Sequence, residues 1–235
     1  MSEWAPRRFW STASAVPVEG GFAVQLDARP LRTPRKAPLV LPTAALAEAV
    51  AAEWQAQGER VDPASMPFTR MANSAIDTVT PEFDVIARMV ADYGGSDLLC
   101  YRAEGPEALV TLQAGAWDPL LDWAATDLGV SLRTTTGVVH VAQPAESLAL
   151  LQSLVNGLTA FRLAAVHDLV SLSGSLILAL AVTGKRIGVE EAWRLSRIDE
   201  DWQVSQWGED DEAADVARRK QAAFLLADRF YGLCG

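Results

Sequence analysis

The sequence predicts a two-domain α+β protein: a small N-terminal antiparallel β domain followed by a larger, mainly α-helical bundle domain. Three observations predict it. Phe22, Val24 and Leu26 alternate with Ala23 and Gln25, the period of a strand with one buried face. At Pro42-Thr43 that period gives way to helical spacing, which continues with interruptions to the C-terminus. The 235 residues are 50% hydrophobic, enough for one sizeable core or for a small domain beside a larger one. Residues 1–60 are expected to form the β-rich domain with the helix that follows it, and residues 61–235 the helical domain. The stretch GERVDPASMPF, with its two prolines and one glycine, is the expected connection.

Residues 8–41 are short and punctuated. Gly20-Gly21 supplies a turn and Ala28-Arg29-Pro30 interrupts the next stretch, so a meander of antiparallel strands is the simplest arrangement. Thr43 can cap a helix whose Leu46, Val50 and Trp54 fall at i, i+4 and i+8, with Gly58 at its end. Residues 67–94 read as two helices divided at Thr80-Pro81, with Thr80 as N-cap. Met71, Ala75 and Val79 line the first; Ile86, Met89, Val90 and Tyr93 line the second. A longer helical stretch runs from Pro106 toward Gly129, where Pro119 should bend or divide it.

Residues 130–143 form a β-rich excursion with a turn at Gly137, either a hairpin or an extended passage. Residues 145–158 return to helix. The segment from Phe161 onward is apolar around most of its circumference and reads as the central helix of a bundle, with Ser173-Gly174-Ser175 inside it allowing close packing. From Gly188 two further helices are expected, broken at Gly208. Leu195, Ile198 and Trp202 fall at i, i+3 and i+7, which makes Trp202 a core candidate.

Composition narrows the function. With 20 Lys+Arg against 30 Asp+Glu the formal charge is −10, so phosphate backbones and anionic membranes are unfavourable partners. No nucleic acid is expected. No stable membrane insertion is expected either, because the richest apolar run, residues 176–182, is far too short to span a bilayer. The N-terminal MSEWAPRRFWSTASA lacks the apolar core of a secretory signal. Cys100 and Cys234 show no CxxC or framework spacing and are expected to be reduced, in a cytosolic compartment.

Catalytic signatures are sparse. His140 and His167 belong to no metal pattern, and adjacent side chains on a helix point about 100° apart, so His167 and Asp168 are not expected to form an orienting pair. Gly94-Gly95-Ser96-Asp97 lacks a phosphate-loop fingerprint and reads as a helix end and turn; Ser173 lacks a GxSxG setting. No metal and no cofactor are expected. The consecutive Asp199, Glu200 and Asp201 keep one enzymatic reading open, a small hydrolase or carboxylate-metal enzyme using Asp199 and Glu200.

The most distinctive stretch runs from Asp199 to Asp215, where eight carboxylates and no Lys or Arg are interleaved with Trp202 and Trp207. Trp207, Glu209, Asp210 and Asp211 are its candidate partner-binding residues, since an aromatic anchor beside docking acids suits a protein interface. Helix capping competes for Glu209 and Asp210, because a carboxylate favours the positive end of a helix. Arg29, Arg32, Arg35 and Lys36 form a positive rim on the β domain, a second docking face or an ordinary solvated hairpin.

A family resemblance rests on longer segments: RFW, GGFAVQLDARPLRTPRKAPLVLPT, LAEAVAAEWQAQGERVDP, MPFTRMANSAID, DLLCYRAEGPEAL, WDPLLDWA, HDLVSLSGSLILALAV and WRLSRIDEDWQVSQWGEDDEA. In this order they cover nearly the whole chain. They resemble the assembly chaperones of the F1 part of ATP synthase that handle its alpha subunit. The resemblance implies a noncatalytic protein that acts without ATP on the unassembled alpha subunit, shielding surface that otherwise meets the beta subunit and leaving as the ring assembles. It implies a free monomer at work in the cytoplasm of a bacterium, or in the mitochondrial matrix for organelle relatives. It also implies an architectural anchor at Trp54 and client contacts at Trp207, Glu209 and Asp210. A permanent structural subunit is the remaining alternative.

Overall fold

A computed structural model describes residues 7–235. Residues 1–6, part of the stretch searched above for a targeting signal and of the expected first domain, lie outside the described residues. The chain packs into two compact units. The first takes residues up to Phe83 together with Thr159–Ala165 and Arg229–Gly235; the second takes Asp84–Leu158 and Val166–Asp228. A small antiparallel sheet comes first in the chain and a mostly helical region follows.

In the first unit β1 (Ala13–Val18) and β2 (Gly21–Leu26) form a hairpin in which Ala15 faces Val24 and Val18 faces Gly21. Strands β3 (Arg29–Pro30) and β4 (Val40–Leu41) both pair antiparallel with β2, making it the central strand. Val24 and Leu26 are buried, as the alternation requires, and so is Ala23. Gly21 has a steric reason: a Cβ there would stand 2.3 Å from the Leu41 carbonyl oxygen, so only glycine admits β4 at this distance.

Helix α1 (Ala44–Gln55) lies on β1 and β2 and buries Leu46, Ala47, Val50 and Ala51. Thr43 caps it, its hydroxyl oxygen accepting from the Leu46 amide at 3.1 Å. The helix stops at Ala56, before Gly58. Gln57 replaces the expected glycine stop. Its buried amide donates to the Glu53 carbonyl and accepts from the Asp62 amide, tying the last turn to the next loop. The Glu53 carboxylate accepts from the amides of Phe68 and Thr69, so it caps α2 (Pro67–Ser74) from a neighbouring helix. Phe230 completes this unit, stacked 6.4 Å from both Phe68 and Phe161.

A π-helical turn, Ala75–Val79, continues α2 and precedes α3 (Phe83–Ala91). The division falls near Thr80, but Thr80 is not an N-cap. Its backbone is helical and its hydroxyl donates back to the Ala75 carbonyl, so it ends the π turn. Helix α3 buries Ile86, Ala87, Val90 and Ala91, while Met89 points to solvent.

The second unit contains β5 (Tyr101–Arg102), α4 (Glu107–Asp127), β6 (Thr135–Thr136), α5 (Ala145–Asn156), α7 (Leu176–Thr183), α8 (Val189–Ser196) and α9 (Ile198–Trp207). Helices α6 (Ala160–Ser173) and α10 (Asp211–Leu233) each contribute to both units. Strand β6 pairs in parallel with β5, so the 130–143 stretch is an extended passage rather than a hairpin. Trp117 on α4 is fully buried and its indole donates to the Leu195 carbonyl at 2.9 Å. Helix α4 runs unbroken through Pro119. Pro119 and Gly115, one turn earlier, are both on the exposed face, where the carbonyl freed by proline can meet water.

Two further expectations are corrected. The apolar segment from Phe161 is two helices, because Gly174 takes φ +74° and ends α6. Ser175 then caps α7, accepting from the Leu178 amide at 3.0 Å, so the Ser-Gly-Ser triplet is a helix break rather than a close-packing patch. Asp97 secures that break: its fully buried carboxylate accepts from Ser175 Oγ (2.7 Å), the Ile177 amide (3.0 Å) and the Leu99 amide (3.1 Å). The chain after Gly188 forms three helices, since α8 and α9 part at Arg197. Among the described residues no helix is long and apolar enough to cross a membrane.

Candidate functional site

The acidic segment folds as α9, a break at Gly208 and the first turns of α10. Asp210 caps α10, its carboxylate accepting from the Ala213 amide at 2.8 Å. Asp211 and Glu212 occupy the first turn, where the helix dipole favours negative charge. Glu209, Asp210 and Asp211 are all exposed. Trp207, the last residue of α9, leaves 80% of its surface in solvent. Trp202 is half-buried. The break at Arg197 interrupts the register that would have aligned it with Leu195, and Ile198 is the buried residue of α9.

The leading carboxylates are held. Asp199 accepts from Gln113 Nε2 at 2.6 Å, and the buried Gln113 in turn accepts from the Ala103 amide at 2.8 Å. Glu200 pairs with Arg197 at 2.6 Å, whose guanidinium also lies 5.8 Å from the Trp193 ring. Among the described residues no three His, Cys, Asp or Glu side chains are grouped to hold a metal ion.

Sequence reasoning missed the counter-charges. A groove of about 390 Å³ is lined by Arg197, Asp210, Glu212, Val216 and Lys220; another, of about 330 Å³, by Trp193, Arg197, Asp201, Glu209 and Arg218. Arg218 pairs with Asp215, and Arg194 with Glu191. The signal was the i, i+3 spacing of Arg197 with Glu200 and of Asp215 with Arg218. The grooves of this segment are therefore of mixed charge rather than purely acidic.

The basic rim lies in the first unit. Arg29 stacks 5.4 Å from the Phe9 ring, and Arg32 donates to the Lys36 carbonyl at 2.9 Å. Arg35 is bound to Asp77, through its own amide to the carboxylate and through its guanidinium to the Asp77 carbonyl. Lys36 is exposed in a left-handed turn. Trp54 is half-buried, with its ring 5.2 Å from that of Trp10.

His140 is exposed, 3.2 Å from the Tyr101 hydroxyl. His167 and Asp168 do meet, at 3.1 Å, contrary to the angular argument: a half-exposed pair has room to rotate its side chains together. Cys100 and Cys234 are free and buried. Burial pushes each thiol up to about 12.

Residues 7–125 match the model of a family described as ATP12 chaperone protein. Atp12 from Paracoccus denitrificans is 55% identical, with a TM-score of 0.96 over 99% of this chain and 100% of that one. A point mutant of the P. denitrificans protein gives 54% identity and a TM-score of 0.97, with both chains fully covered. Protein atp12, mitochondrial, of Schizosaccharomyces pombe is 25% identical over 89% of this chain and 76% of that one.

Proposed function

The chain belongs to the ATP12 chaperone family, whose members serve ATP synthase assembly, and from that premise we propose that it binds the unassembled F1 alpha subunit. It keeps that subunit from aggregating and releases it as alpha and beta make contact. The observation that carries this reading is Trp207, a large aromatic left 80% exposed at the end of α9, just before Glu209 and Asp210 in the chain, which line grooves that mix arginines and carboxylates. A partner covering it gains a desolvated anchor within a polar rim, the arrangement that concentrates binding energy.

Glu209 and Asp211 face the client, whereas Asp210 both caps α10 and presents its free oxygen. The hydrolytic alternative loses ground because Asp199 and Glu200 are held by Gln113 and Arg197 rather than facing one another across a cleft. The protein acts as a monomer in the bacterial cytoplasm, and contact free energy is its output.

A photocrosslinker at position 207, mixed with purified alpha subunit before and after beta subunit is added, tests client, surface and release at once. The expected result is a crosslink to alpha that disappears as beta binds, with suppressed light scattering from alpha alone. An alpha subunit that is neither captured nor kept soluble would sink the assignment. Retention at fixed stoichiometry in finished F1 would instead mark a permanent subunit.

A further inference from the structure

The first unit holds a second feature suited to a partner, and nothing in the acidic segment depends on it. We propose that an apolar cavity floored by Trp10 and Trp54 and rimmed by Phe9, Arg7, Arg29 and Arg32 takes an extended partner segment in which a carboxylate neighbours an apolar side chain. The reading above supplies the source of that segment, a client polypeptide, but the geometry stands apart from Trp207.

The cavity encloses about 250 Å³. That is below the usual range of about 300–1,000 Å³ for small-molecule sites and suits one large side chain. Its walls are aromatic: Phe9 meets Trp10 edge-on at 5.2 Å, and Trp10 tilts against Trp54 at 5.2 Å. Phe9 nevertheless leaves 61% of its surface in solvent at the rim. The indole N–H groups of Trp10 and Trp54 are buried and have no acceptor among the described residues.

The rim points to an acid. No Asp or Glu is among the described residues that line the cavity. The Arg29 guanidinium makes no hydrogen bond or ion pair among the described residues and only stacks on Phe9. Arg32 is tied to a carbonyl rather than a carboxylate, and Arg7 reaches Glu59 only at 3.9 Å with both side chains largely in solvent. By contrast the adjacent Arg8 is consumed by the carbonyls of Trp10, Gln55, Gln57 and Ser11. Three guanidiniums therefore surround an apolar hole with no acid among the described residues of its lining, in a chain whose net charge is −10. That net charge disfavours both a nucleic acid and a second copy of this chain as the occupant.

The test uses the whole protein, labelled with nitrogen-15, and two probe peptides, acetyl-Leu-Asp-Leu-Phe-amide and its twin with Asn in place of Asp. The Trp10 and Trp54 indole resonances, assigned through Trp→Phe variants, should shift on titration with the acidic peptide. The Asn twin should bind about fivefold more weakly, and Arg29→Glu should weaken the acidic peptide about tenfold at low salt. Phe9→Ala, at an exposed position, should weaken both peptides without lowering the melting temperature. Indoles that stay still at millimolar peptide overturn the proposal, as do equal affinities for the two peptides. A concentration-dependent dimer abolished by Arg29→Glu would assign the cavity to a second copy and overturn it as well. Trp207→Ala should leave the titration unchanged, so loss of alpha-subunit capture in that variant and loss of peptide binding here are separate failures.

Discussion

Replacing Trp207 by alanine probes the proposed client surface with little disturbance to the fold. A tryptophan side chain buries up to about 250 Å², and Trp207 leaves 80% of its surface bare, so a covering client removes about 200 Å² from water. At about 25 cal/mol per Å² this is a ceiling of about 5 kcal/mol. Ordering the interface and desolvating its rim take part of it back, and aromatic anchors removed by alanine replacement cost about 2–4 kcal/mol. At about 1.4 kcal/mol per tenfold, the Kd for the alpha subunit should rise about 30- to 700-fold. Folding stability should change by no more than about 0.5 kcal/mol, as for other exposed positions. Calorimetric titration with purified alpha subunit, beside a urea melt of the variant, reads both quantities. A Kd within about threefold of the parent, with the melt unchanged, refutes the reasoning, because a hot spot cannot be lost at so small a cost.

Asp97→Ala strands the Ser175 hydroxyl and the Ile177 and Leu99 amides in a buried site, and at about 1–3 kcal/mol per orphaned donor the variant should lose about 3 kcal/mol or more; a melt near the parent's would count against this. Asp97 also carries a pH signature. Burial raises its carboxyl above the ordinary 3.8, against the hydrogen bonds of Ile177, Ser175, Leu99 and Leu176. The folded chain then holds a proton the unfolded chain has released, so this contribution is full below 3.8 and fades as pH rises through the folded value. Asp228, raised by burial and by Glu190, has the same sign, so the measurement is the difference between parent and Asp97→Asn in urea melts across that window; an identical slope in both would be the adverse result. Gly21→Ala drives a methyl to 2.3 Å from the Leu41 carbonyl and should cost about 2 kcal/mol or more by denaturant unfolding, unless β4 shifts freely. Iodoacetamide at mildly alkaline pH should modify Cys100 and Cys234 only after unfolding, since burial holds each thiol at about 12; mass spectrometry showing equal native labelling would contradict it.

The local rules that decide a segment by itself were legible. Val24 and Leu26 obey the strand period, and Thr43 caps α1, because each depends on neighbours within a few residues. What escaped depends on distant partners. Gly58 was passed over because the buried Gln57 already ties down the end of α1. The apolar run from Phe161 hid its break, since Gly174 is stabilised there by Asp97, far away in sequence. Gln113 went unnoticed as a polar residue on an apolar stripe, yet it is buried and holds Asp199. At the candidate site, Trp207 stood out by composition, whereas Arg197, Arg218 and Lys220 flank the acid run and enter its grooves only through folding.

The first unit draws on both ends of the chain, and that orders events during synthesis. The residues of β1 to β4 and α1 leave the ribosome early, but Phe230, wholly buried against Phe68 and Phe161, arrives with the close of α10. Until then a nascent chain exposes an aromatic socket without its plug. Thr43, near the start, likewise waits for the Leu233 carbonyl that its hydroxyl contacts. Cutting the gene after Phe83 would leave this gap permanent, so an isolated N-terminal fragment should be handled as an unfinished body rather than as a working half.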